Sequence, residues 1–274
     1  MDWATGRARF GAPMLAPLAP WLAAIDGNDW PTRDALNALA AGIVTSGGRP
    51  VRFVPPPNAR DDTVPYYERR IAESGEIETR PGNWHDLFNA LAWCAFPKAK
   101  AVVNAQHAAI LAEGGEAEAR RRSPARDALS LFDEGGVAVA SSDPAVFGRI
   151  RDFEWKALFW RERVALARST VFVPFGHALS EKALEPFAGI VAKTVFLPVA
   201  PGFAALEAEE RVARVDAMLS SHFADRARFA TPRLMAPLPV TGVPGWHPRT
   251  ADEDWYDDRT HFQPKPAGRG TPAL

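Results

Sequence analysis

A chain of 274 residues with 47% hydrophobic side chains, nine Trp and sixteen Phe carries ample material for a buried core. Its formal net charge of −1 supplies no global field that would draw it onto nucleic acid or an anionic membrane. The single cysteine, Cys94, excludes an intrachain disulfide and a Cys-rich zinc site, which fits a reducing compartment.

Met1-Asp2-Trp3-Ala4 lacks a basic n-region, and Pro17 and Pro20 interrupt the apolar stretch 13–25. Neither a signal peptide nor a membrane span is expected, and the chain reads as cytoplasmic with no membrane partner. A helix is predicted over 31–41, with Asp29 or Trp30 before a first-turn proline, and Ser46-Gly47-Gly48 ends it. Val51-Arg52-Phe53-Val54 forms a short strand that Pro55-Pro56-Pro57 stops, because three successive residues lack amide donors. A short helix follows near 65–73. Asn83 is the N-cap of a helix running to Phe96, with Asp86 in the place of a capping-box acid. Pro97 ends that pattern and a second helix runs over 98–112. The charged stretch 116–126, basic through Arg120, Arg121, Arg122 and Arg126, reads as a solvated helix end or loop, with phosphate or nucleic acid as the functional alternative.

Two apolar runs, 128–132 and 137–140, flank Asp133-Glu134-Gly135-Gly136 and predict a β-hairpin. Asp143-Pro144 opens a long helix whose apolar positions run from Phe147 to Val164. A strand over 170–175 leads into Gly176-His177, Ser180 caps a short helix to 186, 193–197 is a strand, and 206–223 is a helix. From 230 onward the sequence is rich in Pro, Trp and charge without a sustained period, the pattern of a segment that wraps a surface. The expected fold is α+β, mainly helical with a small mixed sheet containing one β-hairpin, in a single globular domain over 1–274 whose C-terminal part, 230–274, is irregular.

Five groups of residues stand out together: Arg80-Pro81-Gly82-Asn83-Trp84-His85-Asp86-Leu87-Phe88-Asn89-Ala90, then Phe96-Pro97-Lys98 with Asn104 and His107, and Arg126-Asp127-Ala128-Leu129 with Phe132-Asp133-Glu134. They continue in Phe175-Gly176-His177-Ala178-Leu179 and in Pro239-Val240-Thr241-Gly242-Val243-Pro244-Gly245-Trp246. In these motifs the chain resembles a bacterial family known as domain of unknown function 3025. The resemblance implies a single bacterial domain over nearly the whole length. It brings no activity with it.

The candidate chemistry lies in the same motifs. His85, His107 and His177 occur near Asp86, Asp127 and Asp133, residue types that arrange acid and base groups for hydrolysis or hold a divalent metal. The spacing matches no zinc signature such as His-Glu-x-x-His, and N-terminal capping accounts for Asp86, so the metal remains open. His85 with Asn89, and Asn104 with His107, have the spacing that places two side chains on one helical face. His177 follows a strand end, where a side chain reaches a cleft from a rigid support. No Gly-x-Ser-x-Gly elbow, P-loop or dinucleotide fingerprint occurs. His222, His247 and His261 lie apart from the main group.

The leading expectation is a hydrolase with catalytic His85, His107 and His177, an imidazole oriented by Asp127, and a small anionic substrate held by Asn89, Asn104 and Arg126. The alternative is a non-catalytic binding or assembly protein, in which a structural His/Asn network locks the core and the Trp-rich tail offers a partner surface. The protein partner it would take is not named by the sequence.

Overall fold

The computed structural model describes residues 1–57 and 66–266. The expected helix start at Pro65 and the last part of the C-terminal segment, 267–274, lie outside the described residues.

The N-terminal part is a set of short helices pinned by aromatics. Helix α1 (Trp3–Arg7) begins where Asp2 accepts from the Thr5 amide at 2.9 Å, and a 3-10 turn, Pro13–Leu18, leads into α2 (Ala19–Ala23). Helix α3 (Arg33–Leu39) starts two residues later than its proline suggested, because the Thr32 hydroxyl accepts from the Ala35 amide and takes the capping role. Strand β1 (Arg52–Val54) pairs in parallel with β2 (Glu76–Glu78), and α4 (Tyr67–Ser74) crosses between them. Three-residue β2 is too short to show a period, so sequence patterning passes over it.

Helices α5 (Trp84–Ala95) and α6 (Pro97–Arg120) form the centre. Asn83 caps α5 by accepting from the Asp86 amide at 3.0 Å. Pro97, which cannot continue α5, serves as the first residue of α6. The Asp216 carboxylate accepts from the Lys98 and Ala99 amides, satisfying two of the donors that a helix start leaves open.

Residues 128–140 do not form the predicted hairpin. Ser123 caps α7 (Pro124–Gly135), whose buried side chains Ala128, Leu129 and Phe132 follow helical spacing, and only then does β3 (Gly136–Ser141) begin. Asp133-Glu134-Gly135-Gly136 is therefore a helix end running into a strand, not a turn between strands. The single long helix expected after Asp143 is also broken. Helix α8 (Pro144–Arg151) stops before Phe153, whose φ of 60° is left-handed, and a π-type turn over Ala157–Arg161 precedes α9 (Arg163–Ser169). Helix α10 (His177–Lys182) starts at His177, so Ser180 lies inside it and hydrogen-bonds the Gly176 carbonyl instead of capping a later helix.

The remaining elements are β4 (Thr170–Pro174), β5 (Val191–Pro198), α11 (Ala208–Phe223) and β6 (Pro237–Pro239). The larger sheet has the order β4-β3-β5-β6, with β3 parallel to β5 and the other pairings antiparallel. All residues of β3 are buried, as expected for a central strand covered on both faces. Short 3-10 turns make up the segment after β6, and Trp255 and Tyr256 are buried there against the body. The architecture is mainly helical α+β. Among the described residues no helix is long and apolar enough to cross a membrane.

Candidate functional site

Six elements, β2, α4, α5, α6, α7 and α10, contribute to one cleft of about 450 Å³, lined by residues that include Tyr67, Glu68, Glu78, His85, Asn89, His107, Asp133 and His177. The first turn of α5 sets its direction. Trp84 turns inward, stacking on Trp3 with 5.3 Å between ring centroids and donating its indole N–H to the Met1 carbonyl. One residue later on the helix, His85 faces the cleft and its side chain is 39% exposed.

His177 arrives from the sheet. Phe175 and Gly176 both donate their amides to the Gly136 carbonyl at the junction of α7 and β3. A Cβ on Gly176 would collide with the Glu134 carbonyl, so glycine permits this approach at φ −66°, without the positive φ that a turn glycine would suggest. The consequence is that His177, the first residue of α10, lies beside the end of α7. Its Nδ1 is 3.6 Å from Asp133 Oδ2, beyond hydrogen-bond distance, and its Nε2 is 3.1 Å from His85 Nε2. His85 Nδ1 in turn stands 3.4 Å from Glu181 Oε2 on the same short helix.

Behind this pair, Lys100 of α6 is buried with its ammonium 2.6 Å from Asp133 and 3.0 Å from the Asn89 carbonyl oxygen. The Asn89 amide donates to the Tyr67 hydroxyl at 3.1 Å. Asn104, one helical turn along α6 from Lys100, donates to both the backbone carbonyl and the carboxylate of Glu68. Helices α4, α5, α6 and α7 are tied together through these bonds, and those made by Lys100 are charge-assisted, the stronger kind.

Electrostatics separate the two carboxyls. Burial alone would push Asp133 up, but Lys100 and His177 outweigh it and hold the carboxyl below its ordinary value. Burial, reinforced by the charge of Asp133, pushes Glu68 up to about 7. The imidazoles of His107 and His177 are pushed down to about 4, in both cases mainly by burial, and are neutral at pH 7. Burial likewise raises the Tyr67 hydroxyl.

The imidazoles His85, His107 and His177 thus line one cleft, together with Asn89. Asn104 sits behind Glu68 and positions it. Asp127 does not orient an imidazole. It is exposed in the first turn of α7, and Asp133, nearly two turns further along, is the carboxylate facing His177. Arg126 is also misplaced for substrate: its side chain is 1% exposed and donates to the carbonyl and carboxylate of Glu118, with Tyr66 across its guanidinium. The arginines that line the cleft are Arg80, held by Asp86, and Arg122, which donates to Ser130.

Sequence reading missed Lys100, Tyr67 and Glu68. A signal existed for Lys100, which interrupts the apolar face of α6 four residues before Asn104 and seven before His107. None existed for Glu68, since Tyr-Tyr-Glu-Arg-Arg reads as a solvated helix start. Among the described residues no group of three or more His, Cys, Asp or Glu side chains is arranged to hold a metal ion. The tail aromatics face inward, with Trp255 donating to the Thr241 carbonyl and Tyr256 to that of Gly242, so these two rings do not offer a partner surface.

Residues 51–266 match the model of a family described as protein of unknown function (DUF3025), and the chain belongs to that family. Neither the curated proteins nor the solved structures hold a match to it.

Proposed function

We propose that this family member is a hydrolase of small polar molecules, working in the cleft by general acid–base catalysis with His85 as the proton-transfer group. The observation that carries this reading is the 3.1 Å contact between His85 Nε2 and His177 Nε2 at the cleft wall. Two imidazole nitrogens in hydrogen-bond contact share one proton. Asp133 is largely buried and favours the proton of neutral His177 on Nδ1, whereas Glu181 beside His85 Nδ1 is 43% exposed and its field is screened by solvent, so His177 Nε2 is the acceptor and the shared proton sits on His85 Nε2. His85 Nδ1 is then a basic atom. It takes a proton from water while the water oxygen bonds to the electrophilic centre of the substrate. The imidazolium formed is stabilised by His177 on one side and by Glu181, 3.4 Å away, on the other. The same proton then passes to the leaving group as its bond breaks. His177, Asp133 and Lys100 position the base and do not touch substrate.

The anionic substrate expected from the sequence loses its main support, because Arg126 is committed to Glu118. Hydrolysis is tested with chromogenic ester, amide and phosphoester panels at pH 7.5. Turnover of one class should fall roughly 10²–10⁴-fold in His85→Ala, the usual contribution of a positioned acid or base. Absence of turnover in every class, or an unchanged rate in a folded His85→Ala protein, would sink the reading.

A further inference from the structure

Among the described residues, the charges around the cleft nearly cancel in pairs. Glu78 is bound by Arg70 at 2.9 Å, Asp86 by Arg80 at 2.8 Å, and Asp133 by Lys100 at 2.6 Å. Glu118 takes up Arg126, and Glu134, exposed at the mouth, is answered by Arg122. Glu68 is left over. Its Oε2 accepts from Asn104 at 2.7 Å, and among the described residues no cation lies within ion-pair distance of it and no hydrogen bond engages Oε1. On the same cleft, His107 is 2% exposed and its Nδ1 has no partner among the described residues. A carboxyl half-buried without a counterion is costly.

We infer that the cleft recognises a small ligand bearing a cationic nitrogen, an ammonium or amidinium group, seated on Glu68 as the counterion this carboxylate lacks. A monocation would complete the charge pairing, and Tyr67 lines the same cleft, whereas the Tyr66 ring is already taken by Arg126. Flanking polar atoms of the ligand would reach His107. This inference rests on the reading that the cleft is the working site, but it does not depend on hydrolysis. Among the described residues, the titratable and charged groups around Glu68 are Tyr67 beside it on α4, Asp133 and Arg126 of α7, and Lys100 and His107 of α6, with Arg122 at the mouth.

Ligand binding separates the two ideas because it needs no turnover. The probes are benzamidine and butylammonium as cations, benzamide as the neutral isostere and butyrate as the anion, titrated calorimetrically into the full chain. At pH 6.5 in buffers of different ionisation enthalpy, benzamidine should bind at least tenfold more tightly than benzamide and release a fraction of a proton, as Glu68 ionises to receive it. Affinity for both cations should rise from pH 5.5 to 8 in the wild-type protein, a test that requires no variant. Glu68→Gln, which keeps an oxygen for Asn104, should weaken cation binding roughly 10- to 100-fold, as expected for a charge-assisted bond, and abolish proton release. Equal or tighter binding of benzamide or butyrate, undiminished cation affinity in Glu68→Gln, or no cation binding near the solubility limit would overturn the inference. Cation binding without hydrolysis of any panel class would leave it standing and remove the hydrolase reading.

Discussion

Two buried histidines in this molecule are treated in opposite ways. His261, in the C-terminal segment, uses both ring nitrogens: Nδ1 accepts from the Gly189 amide at 2.8 Å, so Nε2 carries the proton and gives it to the Thr241 hydroxyl. Around it the indole of Trp255 and the hydroxyl of Tyr256 also find backbone carbonyls. His107, equally buried in the cleft, has an Nδ1 with no partner among the described residues, and so does His177. Folded chains pair nearly all buried polar atoms, because each orphan costs about 1–3 kcal/mol. The tail has closed its polar network and the cleft has not. On the proposed reading, the contrast is between a histidine that holds structure and one kept ready for a ligand.

The strongest way to break this contrast is to show that the cleft, too, is mere scaffolding. Lys100 is its deepest charge, and Lys100→Met leaves Asp133 buried without a counterion. The expected loss is about 3–5 kcal/mol in urea unfolding, the cost of breaking a buried pair by removing one partner. Replacing both residues, Lys100→Met with Asp133→Leu, should recover much of that loss while abolishing turnover. If the single and double variants are equally unstable, the pair contributes packing and not charge compensation.

The acid limb of the stability curve gives the next effect. Burial holds His107 and His177 at about 4, below the ordinary 6.5, so the unfolded chain binds protons that the folded chain refuses. Their contribution is fully present above pH 6.5 and is lost as the pH falls from there toward 4. The limit is roughly 3 kcal/mol for each ring. His107→Leu should therefore flatten the stability profile between pH 6.5 and 4, and an unchanged slope would mean that the ring is already charged in the fold.

At pH 7 the comparison sharpens into a matched pair of substitutions. His261→Leu strips partners from the Gly189 amide and the Thr241 hydroxyl and should cost about 2–3 kcal/mol. His107→Leu removes an unpaired nitrogen and should change stability by less than about 1 kcal/mol, since exchanging an unsatisfied polar group for an apolar one of similar size is close to neutral. Equal losses by thermal or urea unfolding would erase the distinction between the two regions.

How far the site was legible in the sequence follows from the same physics. Histidine and asparagine stand out in an apolar helical run, so His85, Asn89, Asn104, His107 and His177 could be singled out before any fold was known. Helix starts with a strong local signal, Asn83 and Asp143, fall where the capping residues put them. The choice between Asp127 and Asp133 was not legible, because it turns on whether 128–132 is a strand or a helix, and a five-residue apolar run supports both. Asp133, one of the acids the sequence offered, could be preferred only once α7 continued to Gly135. Phe153 offered no warning either, since no adjacent glycine or proline marks its left-handed backbone. Glu68 looks like an ordinary exposed acid until α6 and α7 close over it.

Glu68 supplies the smallest and most diagnostic effect. Burial raises its carboxyl to about 7 in the fold, above the ordinary 4.5, so the folded chain holds a proton that the unfolded chain has already released. Stability from this group is complete below pH 4.5 and declines as the pH rises through 7. Glu68→Gln cannot ionise, and its carbonyl still accepts from Asn104. The variant should match the wild type near pH 4 and exceed it by about 1–2 kcal/mol at pH 8, an amount reduced from the full shift because the cleft admits solvent. A saturating cationic ligand should narrow that gap by stabilising only the ionised wild type, to an extent set by concentration over Kd. A gain in stability on removing a charged group, together with a loss of binding, is the mark of a residue retained for function at the expense of the fold. If Glu68→Gln is less stable than wild type at pH 8, the carboxylate already has its counterion within the protein, and the cleft is as closed as the tail.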